Sequence, residues 1–346
     1  MTHAAWRRRA IAALRSEPAP ATPLRLGVAR FSDAVVHLKD EAAHPSGNLK
    51  HRLVRDLLFH ALVNDELHEG AILVEATGGA AALAVGHFAS LLGLGFTIVM
   101  PARTHPAQIA AIEALGGRCE LVDPPLAIYA TAARIAAEGN GFHLDMFNRA
   151  EVVTDWRTAN IASELLAQCP AAPTWVVCGA GTGITAATLA RHFRYANAPT
   201  RVAVADPEHS AYFPGWASGD PGYATGMPSR IPGIGRPRIE PAFRIALVDR
   251  VVPVPDAASI AAMRHLAKRT GTCYGPATGT CLWAARELAT RTGATGSIVI
   301  VAGEGGERYQ DTYYSPTWLE DKGIDIGPWC KALDTPSTGP DSWPSA

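Results

Sequence analysis

The chain has 346 residues, 48% of them hydrophobic and 18% charged, and 31 Lys+Arg against 32 Asp+Glu leave a net charge of -1. That length suits one large domain or two ordinary ones, and the even charge gives no electrostatic basis for a nucleic-acid or membrane-surface partner. The six cysteines, Cys119, Cys169, Cys178, Cys273, Cys281 and Cys330, show no CxxC pair and no histidine at zinc-finger spacing, which reads as reduced thiols with no metal set.

Near the start, Arg7-Arg8-Arg9 precedes an apolar run, Ala10 to Leu14, that is too short for a signal-peptide core and is closed by Arg15. No later run reaches the roughly 18 apolar residues of a membrane helix, so a cytoplasmic protein is expected. Pro45-Ser46-Gly47-Asn48-Leu49-Lys50-His51-Arg52 then sets a lysine where a glycine-containing loop becomes a helix, whose stripe is Val54, Leu57, Leu58 and Ala61. A lysine so placed is either a solvated surface charge or, desolvated in a cleft, an amine able to form a Schiff base with an aldehyde cofactor.

Ile72 to Val74, Ala81 to Leu92, Phe96 to Met100, Pro106 to Leu115 and Cys119 to Val122 alternate strand and helix patterns, as βαβ units of a parallel sheet do. The alternation breaks near 140 to 155. It resumes with Trp175 to Cys178, a helix after Gly183, Val202 to Ala205, helices near Ala258 to Lys268 and Gly279 to Leu288, and Ile298 to Val301. The fold class expected is α/β, with two open, twisted, mostly parallel sheets flanked by helices. Tyr212 to Ala242, dense in Gly and Pro, reads as an irregular cover or interdomain segment, and the Pro/Ser/Gly tail from 335 to 346 as flexible.

Two strand–glycine–helix turns stand out. Val176 to Thr185 presents Gly179, Gly181 and Gly183 at alternate positions, suited to an anion such as phosphate. A dinucleotide reading competes, since Val204-Ala205-Asp206 ends in an acid able to hold a ribose, but the spacing is not GxGxxG. Val74 to Ala81 is the second turn. A lysine, a monophosphate cradle and an anion-binding loop together suit pyridoxal 5'-phosphate.

In these motifs the chain resembles the fold-type II pyridoxal-phosphate enzymes, the tryptophan synthase β-like group that includes cysteine synthase, cystathionine β-synthase and threonine dehydratase. Pro45 to Arg52 is similar to their PxGSxKxR motif and Gly179 to Thr185 to their GxGTGGT loop. The resemblance covers about residues 20 to 325. It implies that Lys50 is catalytic and carries the cofactor, that Gly179, Gly181, Thr182, Gly183 and Thr185 cradle its phosphate, and that Thr278, in Gly275-Pro276-Ala277-Thr278-Gly279, faces the pyridine nitrogen. Taken alone, Thr278 would instead be a helix N-cap. Gly303 to Tyr309 is similar to the family's DSGERY segment. Residues 1–40 and 150–334 would form the larger cofactor-binding domain and 41–149 a smaller substrate-side domain, in a homodimer.

Arg230 to Arg238, Val254 to Ile260 and Asp311 to Ser315 resemble the actinobacterial cysteine desulfhydrase branch most. That resemblance implies β-elimination on a small β-substituted L-amino acid, through an aminoacrylate to pyruvate and ammonia, with sulfide from cysteine. The substrate loop departs from the family's T/S-S-G-N-T: it reads Thr77-Gly78-Gly79-Ala80-Ala81, with Ala80 beside the cofactor's phenolic oxygen where the family has asparagine, and Met146 stands for a glutamine. Gly233 completes the implied substrate contacts, and Arg230, Arg236 or Arg238 could replace the lost polarity. β-Replacement, a non-standard substrate, a nicotinamide oxidoreductase and a non-catalytic cofactor-binding protein stay open as alternatives.

Overall fold

The computed structural model describes residues 3–17, 21–291 and 293–334; the segment 335 to 346, expected to be flexible, lies outside them. In chain order the strands are β1 (Leu24–Phe31), β2 (Ala34–Asp40), β3 (Ile72–Ala76), β4 (Gly95–Pro101), β5 (Arg118–Val122), β6 (Gly141–His143), β7 (Trp175–Gly179), β8 (Arg201–Pro207), β9 (Arg250–Val254) and β10 (Gly296–Ala302). They divide between two units, Met1–Pro20 with Ala42–Thr154, and Ala21–Glu41 with Asp155–Ala346.

The smaller unit holds a four-stranded sheet in the order β5-β4-β3-β6, parallel throughout. The runs of its central strands β3 and β4 are short and largely buried on both faces, as a helix-covered parallel sheet requires, while the edge strands β5 and β6 are partly exposed. Val74, Ala76 and Val99 pack on Ile128, Ala132 and Ala136 of the helix Ile128–Glu138. The chain leaves β3 toward β4 on one side, while β6 pairs on the other. The carboxyl ends of β3 and β6 therefore flank a topological switch point, where open sheets place ligands.

In the larger unit the order is β1-β2-β10-β7-β8-β9, with only the β1–β2 pair antiparallel. Val36, Leu38, Val177, Ala203, Ile298 and Ile300 form its core with Trp283. Here the switch point lies between β7, which leads on to β8, and β10.

Two features differ from the sequence reading. The described residues 3–17 do not join the larger domain: Trp6, Ala10 and Leu14 form a buried stripe on the helix His3–Ser16, which packs on the helices Lys50–Val63 and Ala81–Leu92. The region from Tyr212 is not wholly irregular, since it opens with the helix Tyr212–Ser218. Phe213 N donates to Asp206 Oδ2 at 2.8 Å, which fixes the first turn of that helix from β8.

Candidate active site

In the smaller unit, Lys50 is the first residue of the helix Lys50–Val63. Asn48 makes the turn before it: Nδ2 donates to Ser46 O at 2.7 Å, and Oδ1 accepts from Lys50 N at 3.0 Å. Asn48 thus caps the leading N–H of the helix with a buried amide. The neighbouring His51 turns inward and is 1% exposed, whereas Lys50 stays half-buried.

Thr77 to Ala81 follow the carboxyl end of β3 and run into the helix Ala81–Leu92, whose N-terminus carries no side-chain cap. Thr77 Oγ1 accepts from Gly79 N at 3.2 Å, and Gln108 Nε2 donates to Gly78 O. The loop therefore offers backbone groups where a side-chain rim is missing. Met146 begins the helix Met146–Val153 just past β6 and is buried.

Glu75 joins these pieces. It is 1% exposed on β3; its Oε1 accepts from Ala76 N at 3.0 Å and its Oε2 from Met146 N at 3.2 Å, across the switch point. Burial, with a smaller contribution from Asp145, pushes its carboxyl up to about 8, against the opposing pull of those two N–H groups and of the Lys50 charge. The sequence reading does not include Glu75. The available signal is one charge inside the apolar run Ile72 to Ala76, a residue type rarely buried without partners.

In the larger unit, Gly179 to Thr185 lie at the carboxyl end of β7, on that sheet's switch point. Gly183 has φ +85°, and a Cβ there would meet Phe243 Cα at 2.6 Å; Gly179 lies so close to Ile234 that a Cβ would stand 2.4 Å from its Cγ2. Tyr212 Oη donates to Gly181 O at 2.5 Å. Thr182 is buried, Gly181 and Thr185 are half-buried, and the helix Ile184–Tyr195 starts from Gly183 with no side-chain cap. Its leading N–H groups and the positive end of its dipole suit an anion.

Thr278 sits in the first turn of the helix Pro276–Arg291, 0% exposed. Its Oγ1 has no hydrogen-bond partner among the described residues, so it is not an N-cap. A buried hydroxyl left unpaired costs about 1–3 kcal/mol, which a ring nitrogen of a bound cofactor would offset. The cradle and this hydroxyl fit a phosphorylated pyridine.

Gly233 is exposed, in a segment anchored by the bond from Gly235 N to Ala180 O at 2.8 Å. Arg236 and Arg238 both bind the buried Glu240, at 3.1 and 3.4 Å, a structural use of two candidate charges. Asp206 is 1% exposed and serves Phe213 N, and burial pushes its carboxyl up to about 7. A buried acid spent on the start of a helix does not present an exposed carboxylate to a ribose.

A profile described as "Pyridoxal-phosphate dependent enzyme" matches residues 16–303. The chain is 46% identical over 301 residues to L-cysteine desulfhydrase of Mycobacterium tuberculosis, covering 85% of this chain and 82% of that protein. In fold it is similar to a hydrogen sulfide-producing enzyme from Fusobacterium nucleatum, with a TM-score of 0.74 at 20% identity over 86% of this chain and 98% of that one. It is also similar to O-ureido-L-serine synthase, with a TM-score of 0.76 at 22% identity over 93% and 98%.

Proposed function

Because the chain belongs to the family of pyridoxal-phosphate dependent enzymes, we propose that it is a carbon–sulfur lyase that takes L-cysteine to pyruvate, ammonia and hydrogen sulfide, with one water consumed. The 46% identity to a cysteine desulfhydrase over most of both chains carries this reading. Lys50 holds the cofactor through Nζ and takes the proton from the amino acid's Cα, since the helix start fixed by Asn48 is where its amine is set. Gly179, Gly181, Thr182, Gly183 and Thr185 hold the phosphate, and Thr278 faces the ring nitrogen. The bound cofactor supplies an electron sink for the carbanion at Cα, and a neutral hydroxyl partner moderates that sink in favour of β-elimination.

The uncapped first turn after Thr77 to Ala81 receives the substrate carboxylate through backbone N–H groups. Ala80 lies beside the cofactor, and Gly233 lines the substrate from its own segment. The apolar Gly78, Ala80, Ala81 and Met146 favour a second reading, in which the β-substituent is longer and less polar than a thiol or is exchanged for another nucleophile. The enzyme works in the cytoplasm as a homodimer, a reading supported by six free cysteines and by the family resemblance.

The test is turnover with cysteine, serine, O-acetylserine, O-phosphoserine, threonine and longer β-substituted amino acids. Cysteine should release sulfide, pyruvate and ammonia in equal amounts. Lys50→Ala should lose both the borohydride-reducible cofactor band and turnover; retained turnover would refute the role of Lys50, and faster turnover of a longer substrate would establish the second reading.

A further inference from the structure

We propose that Glu17, His51 and His87 form a binding site for a d-block divalent cation of the Zn2+ class, within the smaller unit and separate from the groups assigned to the cofactor. One ligand atom from each of the three lies within 4.8 Å of the others. They come from three segments: Glu17 follows the helix His3–Ser16, His51 is in the first turn of the lysine helix, and His87 is mid-way along the helix Ala81–Leu92.

The second observation is the state of His51. Its Nδ1 lies 3.2 Å from Ser46 Oγ, while its Nε2 is buried with no hydrogen-bond partner among the described residues. A ligating histidine typically has its other nitrogen fixed by such an outer bond, so Ser46 orients the ring and leaves Nε2 to bind. The ring stacks on His44 at 4.7 Å and 12° and packs on Phe88 at 4.6 Å, which prevents it from turning away.

Glu17 Oε1 lies 2.6 Å from His87 Nε2, with side-chain exposures of 8% and 26%. A tetrahedral ion with bonds of about 2.0–2.1 Å needs ligand atoms about 3.3 Å apart, so closing the site asks for small side-chain rotations rather than a backbone change. The partial exposure of His87 gives a path for the ion and room for a water in a fourth position.

Two imidazoles and one carboxylate select zinc, nickel or copper over calcium or magnesium. A bound ion would tie the start of the lysine helix to two other helices.

The holoenzyme should retain one zinc per chain after exposure to zinc and desalting. His68→Ala, which dismantles the exposed cluster His3, Asp65 and His68, should retain it too. Glu17→Gln and His87→Phe should each weaken binding at least about a hundredfold, beyond the 10–100-fold typical of outer-shell losses, with circular dichroism and cofactor absorbance unchanged. Zinc-edge X-ray absorption on the unaltered protein needs no variant and should show nitrogen and oxygen ligands with imidazole scattering. No retained zinc, a sulfur shell, loss of the ion in His68→Ala, or undiminished binding in Glu17→Gln and His87→Phe would overturn the assignment.

Discussion

Thr278 and Glu75 are both buried polar groups, and they answer opposite questions about what a site holds. The Thr278 hydroxyl has no partner among the described residues, so Thr278→Val should leave the unfolding midpoint of the cofactor-free protein unchanged or raised. It should weaken cofactor binding about fivefold, the equivalent of one ordinary hydrogen bond of about 1 kcal/mol. Fluorescence titration with pyridoxal phosphate reads this directly; equal affinity would remove Thr278 from the cofactor site. Glu75 instead has both oxygens occupied, and its role was not legible in the sequence. A charged residue in a strand declares burial only when the strand's neighbours are known, and its partner Met146 N is 71 residues away.

At the scale of elements, the lysine helix and both glycine turns were legible because 3.6-residue and strand–turn–helix patterns are local. The helix Tyr212–Ser218 was not, because what fixes its start is the Asp206 carboxylate from another element. The helix His3–Ser16 was hidden for a similar reason: its stripe has meaning only against the two helices it covers. The turn at Gly183 carries a firm expectation. Both its left-handed backbone and the 2.6 Å approach of a Cβ to Phe243 exclude a side chain, so Gly183→Ala should destabilise the protein by about 1–3 kcal/mol or more. Chemical denaturation would show it, with loss of cofactor binding; a midpoint within error of the parent would contradict the geometry.

For the whole molecule, buried acids set the response to pH. Burial first, and neighbouring carboxylates second, raise Glu75 toward about 8 and Asp256 toward about 7; burial also raises Asp206 to about 7. A raised carboxyl stabilises the fold at low pH, and that contribution is lost as pH rises through the folded value. His51, lowered to about 3 by burial, and His37, His143 and His265, lowered by the same cause, act in the other direction until the pH is about a unit above their ordinary 6.5. From about pH 7.5 the histidine contribution is complete, and the unfolding midpoint of the cofactor-free protein should fall as Glu75 ionises around its raised value of about 8. Glu75→Gln should flatten the upper part of the fall, as scanning fluorimetry across pH would show; an unchanged slope would mean that Glu75 is ionised throughout.

The family and its two-sheet class were readable from motifs, yet the strand order was not, because pairing between distant segments leaves no local trace. That order has a consequence for synthesis. The hairpin β1–β2 reaches β7, β8 and β9 only through β10, with Ala34 beside Gly296 and Ile298 beside Trp175. The last of the described strands to leave the ribosome is thus the keystone of the larger sheet, and β1 and β2 must wait until β10 has emerged, with their edge exposed to mispairing. Truncation before residue 296 would leave a ribbon and a three-stranded remnant with nothing to join them.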